Sequence, residues 1–154
     1  MKSRDFLLIS LLLIPVVLLP ISGCVTPNPS PPVTDYATLL SSLQDSGASV
    51  KENGEVVQDF FTVKGKVISI NGSNVQVFEY NSPEAMESDA SLVHSDGSTF
   101  TTSKNGSVTT ITIVDWIAPP HFFKTGRIIS IYIGDDKAIL RLLEDRLSAQ
   151  FAGS

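Results

Sequence analysis

Between the alternating runs KVISI and VQVFEY stand four residues, Asn71-Gly72-Ser73-Asn74. Asn-Gly accepts the positive φ values of a tight hairpin turn, and the twist of two flanking strands selects turns of that kind. The pair therefore commits the middle of the chain to antiparallel strands, and the fold has to be built around a meandering sheet.

The segments around it fill in the class. Asp35 to Gln44 places Tyr36, Leu39, Leu40 and Leu43 at helical spacing, with Thr34 or Asp35 as N-cap and Gly47 positioned to end the helix. ASVKE and EVVQDFFTV read as strands before the hairpin. Ser82-Pro83-Glu84 opens a second helix, serine as cap and proline at the first helical position, with Met86, Ala90 and Val93 on one face and Asp96-Gly97 to stop it. Ser95 to Ser107 is rich in Ser, Thr, Gly and Asn and reads mostly as loop. SVTTITIVDW and RIISIYI read as two further strands, and Ile139, Leu143 and Leu147 share a face of a last helix that starts near Asp136. The expectation is an α+β, two-layer domain with a mainly antiparallel sheet of about five strands and three helices, the helices on one face.

The N-terminus differs in kind. MKSRDFLLISLLLIPVVLLPISGC has a basic start at Lys2 and Arg4, an apolar run from Phe6 to Ile21, and small residues before a cysteine. That is the pattern of an export signal. The run is shorter than the roughly 20 residues that span a bilayer, and Pro15 and Pro20 interrupt it. Ile21-Ser22-Gly23-Cys24 resembles the lipobox of prokaryotic lipoproteins. The resemblance implies cleavage before Cys24, a thioether-linked lipid on that residue, and a domain held outside the cytoplasm on the cell membrane. Residues 1–23 are then a signal peptide, 24–34 a lipidated tether, and 35–154 one globular domain.

Cys24 is the only cysteine, so the domain has no disulfide and must be held by its core. No cysteine nucleophile or cysteine-rich zinc site is possible in the folded part. VTPNPSPPV, residues 25–33, carries four prolines and should stay extended at roughly 3.1 Å per residue, a semi-rigid spacer. Without Met1 to Gly23 the chain keeps nine basic and fifteen acidic side chains, a net charge of about −6. An acidic exported surface argues against nucleic acid as partner.

Few residue patterns carry chemistry. Gly134-Asp135-Asp136 is reminiscent of metal-binding aspartate pairs, but an aspartate at a helix start is an N-cap. His94 and His121, the only histidines, are far apart in sequence and too few for a histidine metal site, so no metal and no cofactor are expected. There is no phosphate-cradling glycine loop and no nucleophile-elbow motif, and no catalytic residue is assigned. Asn71 and Asn105 each begin an N-glycosylation sequon, which turn chemistry also explains.

WIAPPHFFKTGR, Trp116 to Arg127, is the most distinctive stretch. Read as a loop between two paired strands, it holds Trp116, His121, Phe122 and Phe123 above a base where Asp115 and Arg127 would form an ion pair. Its aromatics either fold back as core or present a binding edge with a titratable histidine.

From about Gln58 onward the chain also resembles small uncharacterised prokaryotic membrane lipoproteins. The residues concerned are Val77-Phe78-Glu79-Tyr80, the run Trp116 to Phe123, Gly126-Arg127, and Tyr132-Ile133-Gly134-Asp135-Asp136 before a leucine-rich helix. The resemblance implies export and anchoring and brings no activity with it. The leading expectation is a non-catalytic domain of the cell envelope that binds an envelope protein or a small ligand, with the 116–127 loop as contact. The alternatives are an envelope hydrolase using His121 or His94 as base, and a structural spacer without ligand.

Overall fold

The computed structural model describes residues 31–104 and 108–154. In chain order the elements are α1 (Tyr36–Asp45), β1 (Val50–Val56), β2 (Gly65–Ile70), β3 (Ser73–Glu79), α2 (Pro83–Ala90), β4 (Thr99–Lys104), β5 (Val108–Ile113), β6 (Pro120–Thr125), β7 (Ile128–Ile133), α3 (Lys137–Leu147) and β8 (Ala152–Gly153). The fold is α+β, with a six-stranded sheet in the order β1-β2-β3-β7-β6-β8 and a separate β4-β5 pair, every pairing antiparallel.

The hairpin signal is realised. Asn71 and Gly72 both have positive φ, 51° and 93°, and set Ile70 opposite Ser73. The caps follow the sequence as well. Asp35 accepts from Thr38 N at 2.9 Å while Thr38 Oγ1 accepts from Asp35 N, a capping box, and Gly47 follows the helix end at φ 83°. Ser82 caps α2 with Pro83 behind it. Asp136 accepts from Ala138 N at 2.8 Å and caps α3, which accounts for one aspartate of the Gly134-Asp135-Asp136 run.

Side-chain alternation gives the sheet two buried faces. On one, Leu39 and Leu43 of α1 and Ile139, Leu143 and Leu147 of α3 pack on Ile68, Ile70, Val75, Val77, Phe123 and Ile128. On the other, α2 and β4 bring Met86, Ala90 and Phe100 onto Phe78, Phe122, Ile129 and Ile131, so α2 does not share the face of the other two helices. β7 lies in the middle and is covered on both sides, Ile128 to Tyr132 all being at most 5% exposed. That is why IISIYI is a nearly continuous apolar run. Ile128, Ile129 and Ile131, fully buried, each contribute roughly 1.5–3 kcal/mol by burial.

The expectation of all helices on one face is thus corrected, and three more need correction. EVVQDFFTV is not a strand along its length; beyond Val56 it leaves β1 and drops Phe60 and Phe61 into the second core. Its return is fixed by Asp89, only 3% exposed, whose carboxylate accepts from Thr62 N at 2.7 Å and from Thr62 Oγ1 at 2.9 Å. The polar stretch after Ser95 forms β4, because Phe100, fully buried, anchors it while its serines and threonines pair with β5. Finally, Pro120 to Thr125 is a strand, not a loop. It takes the place beside β7 that SVTTITIVDW was expected to fill, and β5 pairs with β4 instead.

A two-residue turn at Gly126-Arg127 joins β6 to β7, Thr125 facing Ile128. Gly126 has φ 54°, and a Cβ there would stand 2.3 Å from the carbonyl oxygen of Thr34. Both the turn and the passing chain demand glycine. Arg127 N donates to Thr34 O at 3.0 Å and Thr125 Oγ1 to Val33 O at 3.3 Å, so the last two residues of the expected tether are docked on this turn. Among the described residues no helix is long and apolar enough to cross a membrane.

Candidate functional site

The aromatics of Trp116 to Arg127 belong to the core. Phe122 and Phe123 are fully buried on opposite faces of the sheet. Phe122 touches rings on three sides, with centroids of Phe100 at 6.0 Å, Trp116 at 6.3 Å and Phe151 at 6.0 Å. Trp116 is half-buried; its Nε1 donates to Gly97 O at 2.9 Å and its ring meets Phe60 edge-on. His121 is 6% exposed and stacks on Tyr132 across the strand pair. Its Nδ1 lies 2.7 Å from Gln150 Oε1, an amide and not a carboxylate, and its Nε2 is buried without a partner. His94 is exposed and meets Thr101 Oγ1 at 2.7 Å. The expected contact set of Trp116, His121, Phe122 and Phe123 is thus not presented to solvent, because six residues of the stretch pair with β7 and the proline pair ends at the first strand position.

The expected Asp115–Arg127 ion pair is also absent. Arg127 Nη2 bonds Glu79 Oε1 at 2.9 Å and lies 3.8 Å from Asp35 Oδ2, tying the β6-β7 turn to β3 and the start of α1. Asp115 is exposed, with no ion pair among the described residues. Asp115 stands in the connection between β5 and β6, while Arg127 lies in the turn that follows β6.

What the stretch does present is Ile117, 99% exposed. It borders an open groove of about 450 Å³ lined also by Val67, Asn74, Gln76, Ile131 and Ile133, with Ser73 and Tyr132 beside them. Among the described residues no charged side chain lines it. Asn74 Oδ1 accepts from Asn53 and Gln76 Oε1 from Gln58, so the polar part of the floor is a row of carboxamides held by one another at 3.1 and 2.9 Å. A neutral floor with an aliphatic rim suits an uncharged ligand that brings both apolar surface and amide or hydroxyl groups.

Sequence reasoning passed over this groove, although β3 carries its signature. Along one face β3 and its continuation read Asn74, Gln76, Phe78, Tyr80, polar for the first half and aromatic for the second. A face that changes character midway is covered over only half its length. Here Phe78 and Tyr80 lie under α2 and the Phe60-Phe61 segment, and Asn74 and Gln76 are left open. Burial pushes the Tyr80 hydroxyl far above the usual phenol range, with the Asp89 carboxylate adding to it.

Cys24 and Asn105 lie outside the described residues. The side chain of Asn71, the other sequon residue, accepts from Ser49 N at 2.9 Å in the hairpin turn. Among the described residues no cluster of His, Cys, Asp or Glu has the makings of a metal site. Compared with known proteins, the chain matches no family model, no curated protein and no solved structure.

Proposed function

We propose that this chain is a lipid-anchored cell-envelope protein whose folded domain is a non-catalytic binding module, and that the groove beside Ile117 receives its ligand or partner. The observation that carries the reading is a polarity of the domain. The chain that leads back to Cys24 joins the fold at the Gly126 turn, one end of the β6-β7 hairpin. The groove, with Ile117 and Ile133, lies at the other end of that hairpin, about 20 Å away by the rise of its strands. A lipid on Cys24 would put the membrane on the turn side and leave the groove facing outward, toward a neutral segment of another envelope protein or a small neutral ligand.

Two measurements test this. Cells given a radioactive fatty acid should label the wild-type protein and not Cys24→Ser, and an unlabelled wild type defeats the anchor. Ile117→Asp should leave the melting temperature unchanged, since the side chain buries nothing, yet abolish retention of the envelope component that the wild type captures. Equal capture by both proteins would remove the groove from the account.

A further inference from the structure

The six-stranded sheet protects its edges. β1 carries Lys51, Glu52 and Glu55 and breaks register between Glu52 and Gly54, which are standard defences of an exposed strand. At the other side β6 is covered by β8 and by Ser148, whose hydroxyl bonds Lys124 O at 2.9 Å. The small sheet differs. The outer side of β4 is satisfied, since Thr101 N donates to Leu92 O and His94 N to Thr99 O, both at 2.9 Å. β5 has no neighbour on its outer side among the described residues.

Which backbone groups are free follows from the register. Val114 N donates to Ser98 O, so Thr112 is the next residue to exchange bonds with β4, opposite Phe100. In an antiparallel ladder such pairs alternate. Ile111 and Ile113 therefore turn both N–H and C=O away from β4. Their side chains are 64% and 77% exposed, and no charge occurs from Val108 to Ile113.

We propose that β5 pairs with β5 of a second copy of this chain, joining the two small sheets about a two-fold axis. The edge is its own complement. With Thr112 on the axis, Ile111 of one copy faces Ile113 of the other and exchanges both backbone bonds with it, and the reciprocal pair does the same. The interface is isologous and closes at two copies. The chain as a whole has a net charge of −5, which would oppose self-association wherever carboxylates met. Along this edge the first charge is Asp115, which falls opposite Thr109. Four isoleucines then form one cross-strand cluster, and β-branched pairs of this kind are favourable in sheets.

The test is the self-association of the full chain in detergent micelles, followed by sedimentation equilibrium. The wild type should show a reversible monomer–dimer equilibrium, and Ile113→Lys, an edge charge of the kind that blocks strand addition, should weaken it by roughly tenfold or more at an unchanged melting temperature. On membranes, oxidation of Thr112→Cys should give a disulfide-linked dimer, because residues on the axis form a non-hydrogen-bonded pair with Cα atoms about 4.5 Å apart. The wild type, with Cys24 alone, sets the background, and Ile117→Cys should not exceed it. A monomeric wild type, equal dimerisation of wild type and Ile113→Lys, or no cross-link at Thr112 above background would each overturn the proposal. So would a wild type that stays monomeric while adding an unrelated extended peptide at this edge.

Discussion

Two hairpins of equal strand length behave in opposite ways. The β6-β7 pair, PHFFKT with IISIYI, is buried along most of both strands; the β4-β5 pair, TFTTSK with VTTITI, leaves the isoleucines of β5 in solvent. Both are rich in β-branched and aromatic residues, so strand propensity does not separate them. What separates them is the number of neighbours. β7 has strands on both sides and layers on both faces, while among the described residues β5 has one strand and no cover over its isoleucines. An alternating Thr-Ile pattern is conventionally read with isoleucine inward, yet here the apolar face of β5 is the outward one. Alternation marks two faces and does not say which of them meets the core.

The contrast is sharpest at Phe122 and Ile113. Phe122→Ala should destabilise the domain by roughly 3–5 kcal/mol, since it empties a site enclosed by three rings, whereas Ile113→Thr should change stability by no more than about 0.5 kcal/mol. Chemical denaturation of the two variants measures both; similar losses would mean that the hairpins are equally embedded. Gly126→Ala is next, at about 2 kcal/mol or more, because the new methyl group meets the Thr34 backbone in a left-handed conformation. The same change at Gly72, which has open space around it, should cost less, from its positive φ alone.

Smaller effects concern charge. Arg127→Met removes the bonds to Glu79 and Asp35, and with both ends of these pairs partly exposed the loss should be roughly 1 kcal/mol. Asp115→Asn should do almost nothing, and the double variant should be additive within about 0.5 kcal/mol. Coupling beyond that would revive the pairing expected from the sequence.

A last effect should appear in alkali. Burial, with the Glu52 carboxylate beside it, pushes the Tyr36 hydroxyl from its ordinary 10.0 up to about 12. The folded state therefore favours the neutral phenol. The resulting stability is complete below pH 10.0 and is lost as the pH rises toward about 12. Tyr36→Phe should flatten that part of the profile when melting temperature is followed against pH. An unchanged slope would assign the alkaline loss elsewhere, Tyr80 being the next group to examine.

Much of this architecture was legible before the structure, and the reason is local. The Asn71-Gly72 turn, the Asp35, Ser82 and Asp136 caps and the apolar faces of α1 and α3 are decided within a few residues of chain, by φ preferences and by side chains that reach adjacent amides. What failed depended on partners distant in sequence. Ser95 to Ser107 looks like loop until Phe100 finds Phe60, 3.7 Å away between ring centroids. The proline pair in WIAPPHFF looks like the stiff backbone of a loop until Pro120 is seen as the first residue of a strand beside Ile133. Arg127 could have been paired with any of several acids, and only the closeness of β3 and α1 selects Glu79 and Asp35. The candidate site was half visible. The stretch that frames it stands out in the sequence for its aromatics, which are core, and not for Ile117, which is the part exposed.

The docking of Val33 and Thr34 on the Gly126 turn also determines how this domain carries mechanical load. Tension on the chain ahead of Val33 does not pull first on the end of α1. It arrives at Thr125 Oγ1 and Arg127 N, which hold the carbonyls of Val33 and Thr34 to the middle of the sheet, and Asp35 is tied there through the same arginine. Force is delivered to the turn between the two most deeply buried strands, and the first event under load should be the peeling away of two residues with the sheet intact. In a stretching experiment the domain should therefore lengthen by a few ångströms at low force before it unfolds.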